Sequence, residues 1–238
     1  MFTGLIQQVG KLNRTEAVDG GLRLFVRGSE WRPQLALGES VAVNGVCLTV
    51  SLLQGEVFAC DVLQETLDKT TLGKKGPGCS LNLERALTMG SAMGGHMVTG
   101  HVDGTGTVVL RKAVGRDWML RIACEPALLN GMVLKGSVAC DGVSLTIADL
   151  KADSAGSEAS SPEGSCFDVH LVPHTCLHTA LSELNKGDCV NIETDIIGKY
   201  VYRYTCPQDF VQRCRRVNID TGKSSITMDG LREAGFDE

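Results

Sequence analysis

Cys47, His101, Asp141 and Ser144 are the side chains whose types and settings could do chemistry in this chain. His101 lies in Gly94-Gly95-His96-Met97-Val98-Thr99-Gly100-His101-Val102-Asp103-Gly104-Thr105-Gly106, a glycine-rich stretch where backbone can approach a ligand closely. An imidazole titrates near neutral pH, so His101 can act as a general base or proton shuttle, or can simply pack. Cys47 can add to an electrophile, or line a site and relay a proton. Asp141 stands three residues before Ser144 and can orient that serine or shape a turn. His96 reads as a residue that holds the turn ahead of this stretch, with catalysis as the alternative. His170, His174, Cys176 and His178 share parity, so on one extended strand they could face a zinc ion together. A helical turn from Thr175 onward breaks that set, and no metal is expected.

These residues belong to a duplicated pattern. Met97-Val98-Thr99-Gly100 through Thr105-Gly106 repeats Met1-Phe2-Thr3-Gly4 through Val9-Gly10 after 96 residues. Ser40 to Val50 returns as Ser137 to Ile147 after 97, which pairs Cys47 with Ser144 and Asn44 with Asp141. Phe58 to Thr66 returns as Phe167 to Thr175 after 109, and the same offset aligns Asn82 and Glu84 with Asn191 and Glu193. Three blocks in order make a tandem duplication, with units at 1–96 and 97–195 and a tail at 196–238. The growth of the offset from 97 to 109 marks an insertion at about 151–164, expected as a surface loop.

Each half reads as short strands separated by glycine turns. Arg23 to Val26, Ser40 to Val50, Val57 to Leu63 and Ser80 to Glu84 are strand-like, and Asn44-Gly45 can take positive φ. Trp118 to Ala123, Gly136 to Leu150, Phe167 to Val172 and Cys189 to Glu193 repeat the order, with a helical turn expected over Gln64 to Leu72. Many short strands in a hundred residues suggest a small closed barrel, which removes sheet edges. Ile196 to Tyr204 is compatible with helix or strand, and Ser225 to Gly235 reads as a short capped helix. A tail outside both repeats is a candidate for subunit contact.

A chain of 238 residues with 43% hydrophobic and 21% charged residues is an ordinary globular balance. A formal charge of −5 argues against a nucleic-acid surface, and no apolar run approaches a membrane span. The ten cysteines form no CxxC pair. With the repeated module beginning at Met1 and no export signal ahead of it, reduced thiols and a cytoplasmic location are expected.

Together, Met1-Phe2-Thr3-Gly4, Asn44-Gly45-x-Cys47-Leu48-Thr49-Val50, Gly95-His96-x-Val98-x-Gly100-His101-Val102-Asp103-Gly104 and Asp141-Gly142-Val143-Ser144-Leu145-Thr146 resemble the trimeric α-type riboflavin synthases. The likeness runs from Met1 to about Asp195 and extends to the Ile226-Thr227-Met228 tail. The fold class it implies is all-β with short helices: two tandem six-stranded Greek-key β-barrels and a C-terminal helical tail that joins three chains. It implies a cofactor-free transferase that dismutates two molecules of 6,7-dimethyl-8-ribityllumazine into riboflavin and 5-amino-6-ribitylaminouracil. Association with lumazine synthase is a further implied partnership. The competing reading is a lumazine-binding protein that holds its ligand without turnover; a purely structural barrel is a third.

Carried over residue by residue, the resemblance implies that Thr3, Gly4, Leu5, Ile6, Cys47, Leu48, Thr49, Asp61, Val62, Leu63, Gln64, Glu65 and Thr66 contact one lumazine. Ser144, Leu145, Thr146, His170, Leu171, Val172, Pro173, His174 and Thr175 would contact the other. Gly100, His101, Val102 and Lys135 would lie beside the shared site. The lumazine 7-methyl group must lose a proton, which gives His101 its expected task. The family's Pro-Glu-Thr-Leu is replaced here by Pro173-His174-Thr175-Cys176, which alters the second ribityl contact.

Overall fold

The computed structural model describes residues 1–28, 31, 34–152 and 164–206. The greater part of the insertion at 151–164, and the helix expected at Ser225 to Gly235, lie outside the described residues. One compact unit, Met1–Tyr200, holds two closed antiparallel barrels; Val201–Glu238 forms a second unit.

The first barrel comprises β1 (Gln8–Val18), β2 (Gly21–Arg27), β3 (Ser40–Val43), β4 (Val46–Gln54), β5 (Val57–Leu63) and β6 (Ser80–Arg85). The second comprises β7 (Gly104–Val114), β8 (Asp117–Cys124), β9 (Ser137–Cys140), β10 (Val143–Lys151), β11 (Cys166–Leu171) and β12 (Cys189–Thr194). Around the first barrel the order is β1-β2-β5-β4-β3-β6, and the second repeats it strand for strand. Short helices α1 (Gln64–Lys69), α2 (Pro126–Leu129) and α3 (Pro173–His178) lie between strands, and 3-10 turns at Thr71–Lys74 and Ala180–Glu183 follow α1 and α3. The ambiguous Ile196 stretch is helix α4 (Ile196–Thr205).

The hairpins show why the sequence folds this way. Asn44 and Gly45 have φ of +46° and +79°, and Asp141 and Gly142 have +44° and +80°. Two consecutive left-handed residues make the tight turn whose twist matches paired strands, and Asn-Gly and Asp-Gly tolerate it best. Register slips recur at matching points, between Leu12 and Arg14 and between Val108 and Leu110, and again between Val50 and Leu52 and between Ile147 and Asp149. Such bulges bend strands and help a sheet close. β1 and β7 were not evident from hydrophobic pattern. Only Gly10 and Leu12 of β1 are buried, so its alternation is too short to read.

Each barrel has its own core, built around Phe58, Leu24 and Leu83 in the first and Phe167, Leu120 and Ile192 in the second. A third cluster, Phe2, Ala42, Val98 and Ala139, lies between the barrels. Phe2 is fully buried there, worth roughly 1.5–3 kcal/mol. Phe2 and Val98 exchange backbone hydrogen bonds of 2.7 and 3.1 Å. Gly45 and Gly142 meet back to back: a Cβ on either would lie 2.7 Å from the other's backbone nitrogen.

Candidate ligand and catalytic site

The segment entering each barrel is pinned by one buried glutamate. Glu84 accepts hydrogen bonds from Thr3 N (2.6 Å), Thr3 Oγ1 (2.6 Å) and Gly4 N (2.9 Å). Glu193 does the same for Thr99 N (2.6 Å), Thr99 Oγ1 (2.7 Å) and Gly100 N (2.9 Å). Burial raises the Glu84 pKa, although Thr3 and Gly4 favour its charged form. The repeat aligned these two acids but suggested no task for them. The signal was present in the matching Asn82/Glu84 and Asn191/Glu193 spacing.

So held, the two segments cross over. The Gly4 carbonyl accepts from Ser144 N at 2.8 Å, and the Gly100 carbonyl accepts from Cys47 N at 2.9 Å. Ile6 packs against the second core and Val102 against the first. Gly4 has φ +75° and a Cβ there would lie 2.6 Å from Ser144 Cβ; Gly100 has φ +82° and its Cβ would lie 2.5 Å from Cys47 Cβ. No other residue fits such positions without moving the partner strand. Gly4, Leu5 and Ile6, expected beside Cys47, therefore sit with Ser144, while Gly100, His101 and Val102, expected beside the shared site, sit with Cys47.

Strand alternation sorts the remaining candidates. Leu48, Val62, Leu145 and Leu171 point into the barrel cores and offer a ligand only their backbone. Cys47 and Thr49 on β4, with Asp61 and Leu63 on β5, belong to the outward set of the first barrel. Ser144 and Thr146 on β10 and His170 on β11, with Val172 just beyond it, form the matching set of the second. Gln64, Glu65 and Thr66 open α1, and Pro173, His174 and Thr175 open α3, each beside its outward set. Val172 and Leu63 are exposed apolar side chains at equivalent places, suited to the face of a flat ring. Asp61 is engaged by Arg23 at 2.5 and 2.9 Å, which holds its carboxyl below the usual range. Lys135 is exposed at φ +65°, the position of Gly38 in the first barrel, and its amide donates to Ile147 O at 2.9 Å.

Around Ser144 the histidine is His96. Its Nδ1 lies 2.6 Å from Ser144 Oγ, its ring is buried, and its Nε2 has no hydrogen-bond partner. Burial lowers its pKa below the ordinary value, against a smaller opposing effect of Asp195, so the ring is neutral at pH 7. A neutral imidazole on a serine hydroxyl can take or return a proton. His101 has an exposed ring and a backbone bond to Thr99 Oγ1 at 3.3 Å. Asp141 faces the turn rather than the serine. Its Oδ1 accepts from Asn191 N at 2.8 Å, as Asn44 Oδ1 accepts from Asn82 N at 2.7 Å, and burial raises its pKa to about 6. Asn82 Nδ2 and Asn191 Nδ2 then donate across the interface to Asp141 O and Asn44 O, at 2.9 and 2.8 Å.

The parity set of histidines is not preserved, because His170 lies on β11 and His174, Cys176 and His178 lie on α3. The nine cysteines among the described residues are free. No helix among the described residues is long and apolar enough to cross a membrane.

Comparison with known proteins agrees with this double construction. The lumazine binding domain matches twice, over residues 3–86 and 99–195. A riboflavin synthase of Actinobacillus pleuropneumoniae is 34% identical over 236 residues, covering 99% of this chain and 100% of the relative. That of Bacillus subtilis (strain 168) is 36% identical over the same shares. That of Mycobacterium tuberculosis (strain ATCC 25618 / H37Rv) is 40% identical over 204 residues, 85% of this chain and 97% of the relative. The crystal structure of LumP complexed with riboflavin superposes with a TM-score of 0.68 at 25% identity, covering 82% of this chain and 99% of that one. The complex of LumP with 6,7-dimethyl-8-(1'-D-ribityl) lumazine has the same fold, with a TM-score of 0.67 at 23% identity over the same shares. With both barrels matched and the relatives aligned nearly end to end, the chain belongs to the riboflavin synthase family.

Proposed function

We propose that this chain is a riboflavin synthase that binds two molecules of 6,7-dimethyl-8-ribityllumazine and transfers a four-carbon unit between them, releasing riboflavin and 5-amino-6-ribitylaminouracil. The observation that carries this reading is the reciprocal pair of half-sites, Gly4 with Ser144 and Gly100 with Cys47. Two like ligands that must meet face to face are served by two like cradles. Proximity and orientation are worth up to about 7–11 kcal/mol in such a step. The halves differ where the ligands' roles must differ, one carrying a thiol and the other a serine bonded to a buried histidine. Ser144 and His96 accept the proton of a lumazine 7-methyl group, and Cys47 and His101 line the partner ligand. Thr49, Thr66, Thr146 and Thr175 bind ribityl hydroxyls. The working form is a cytoplasmic homotrimeric transferase in which the first barrel of one subunit faces the second barrel of a neighbour. Its support is the exposed stripe Ile197, Tyr200, Val201 and Tyr204 on α4, spaced at helical period and lacking a partner within the chain's described core clusters.

The test is incubation of purified protein with the lumazine alone. Riboflavin should form at one product per two substrates consumed. Stoichiometric lumazine binding without riboflavin would overturn the enzyme reading in favour of a lumazine carrier.

A further inference from the structure

Two exposed imidazoles stand one helical turn apart on α3. The rings of His174 and His178 have centroids 4.1 Å apart and planes inclined by 36°. Residues at i and i+4 share a helix face, and two histidines at that spacing can chelate one borderline metal ion. His178 Nδ1 lies 2.8 Å from the His174 carbonyl oxygen. A carbonyl can only accept, so the His178 proton sits on Nδ1 and the Nε2 lone pair is left for a ligand. A ring bond of this kind fixes tautomer and orientation in metal-bound histidines. Cys176 on the same helix turns its thiol to Leu171 O at 3.8 Å, which takes it out of the pair. No cluster of three such ligands exists among the described residues, so water must fill the remaining positions.

We propose that His174 and His178 hold one divalent transition-metal ion, zinc or nickel, on the rim of the second barrel, and that the bound metal inhibits turnover. The inhibitory half rests on the reading of His174 and Thr175 as neighbours of the second lumazine, because a metal would tie His174 back to His178. The site itself does not depend on that reading.

Zinc chloride is titrated into the untagged full-length protein, followed by calorimetry, by imidazole nitrogen NMR and by riboflavin formation in parallel. One zinc per chain should shift both rings together and depress turnover, and a chelator should restore it. His178→Ala should leave metal-free turnover unchanged, weaken zinc binding by at least about tenfold and remove the inhibition. Cys176→Ser should bind zinc like the parent. Undiminished zinc binding by His178→Ala, movement of one ring only, or loss of binding in Cys176→Ser would overturn the site. Binding at the pair with unchanged turnover would overturn its inhibitory role, whatever the fate of the lumazine reading.

Discussion

Ser144 Oγ and His96 Nδ1 are 2.6 Å apart, while Cys47, the repeat partner of Ser144, has no histidine on its side chain among the described hydrogen bonds. His96 belongs to the connection ahead of the second repeat, so the duplication did not supply this contact twice. It makes one half-site basic and leaves the other with a thiol.

If the pair carries the proton, Ser144→Ala and His96→Gln should each lower kcat by about 10²–10⁴. The active form of His96 is neutral, and burial holds its pKa below the ordinary 6.5. Turnover should therefore fall as pH drops through that lowered value, and this acid limb should vanish in His96→Gln. Folding follows the same sign: below pH 6.5 the unfolded chain binds a proton that the folded one resists, so this residue removes stability as pH falls. A pH–rate profile in which His101→Gln loses the limb and His96→Gln keeps it would assign the proton to His101.

Glu84 lies on β6 of the first barrel, yet it secures Gly4, whose carbonyl holds Ser144 of the second. Glu84→Gln should therefore loosen the Ser144 half-site and Glu193→Gln the Cys47 half-site. Each should cost about 1–3 kcal/mol, because glutamine keeps one acceptor oxygen and turns an amide nitrogen toward a buried donor. Amide hydrogen exchange reads this directly: Ser144 N–H should speed up in the first variant and Cys47 N–H in the second. Faster exchange of Cys47 N–H in Glu84→Gln with Ser144 N–H unchanged, or the reverse in Glu193→Gln, would contradict the crossover.

The duplication was legible because whole blocks recur in order at near-constant offsets, and the strand-rich halves and the Asn44-Gly45 and Asp141-Gly142 turns because each rests on residues close in sequence. Alternation along a strand is equally local, and it turns Leu48, Val62, Leu145 and Leu171 inward. The exchange of Gly4 and Gly100 between barrels was not legible. It depends on contacts such as Gly4 with Ser144, 140 residues apart, and tandem and exchanged arrangements have the same repeat. His96 reads from sequence as a turn residue for the same reason, since nothing nearby announces Ser144 as its partner. Asp141 shows the converse: its Asn44 counterpart already pointed to a turn role, and its bonds run to Asn191.

Asp141→Asn separates turn from chemistry. Burial raises the Asp141 pKa to about 6, so the folded protein binds more protons than the unfolded chain between about pH 4 and 6. Stability then declines as pH rises through that window and stays lower above it, by at most about 3 kcal/mol. Asparagine can accept from Asn191 N as Asn44 accepts from Asn82 N, and it should abolish this decline in urea titrations at several pH values. Its amide nitrogen would be left without a partner, as Asn44 Nδ2 is, which offsets part of the gain. Turnover should remain within about tenfold of the parent if Asp141 only shapes the turn; a loss of 10² or more would make its carboxylate part of the chemistry.

The arrangement of subunits is tested by mixing two dead chains. One carries Cys47→Ala and Thr49→Ala, in the outward set of the first barrel; the other carries Ser144→Ala and Thr146→Ala, in that of the second. These sets project from different barrels, so a complete site needs one intact barrel of each kind facing the other. If that meeting occurs between neighbours, a co-refolded oligomer can pair the intact first barrel of the second variant with the intact second barrel of the first. Activity should then reappear in mixtures although neither parent turns over. Ending the chain after Asp195 removes α4 and its exposed Ile197, Tyr200, Val201 and Tyr204, and should yield monomers in which the rescue is lost. Sedimentation must show that both chains share one particle before a negative result counts. Mixed particles that stay inactive would place both ligands within a single subunit, and an active monomer lacking α4 would lead to the same conclusion.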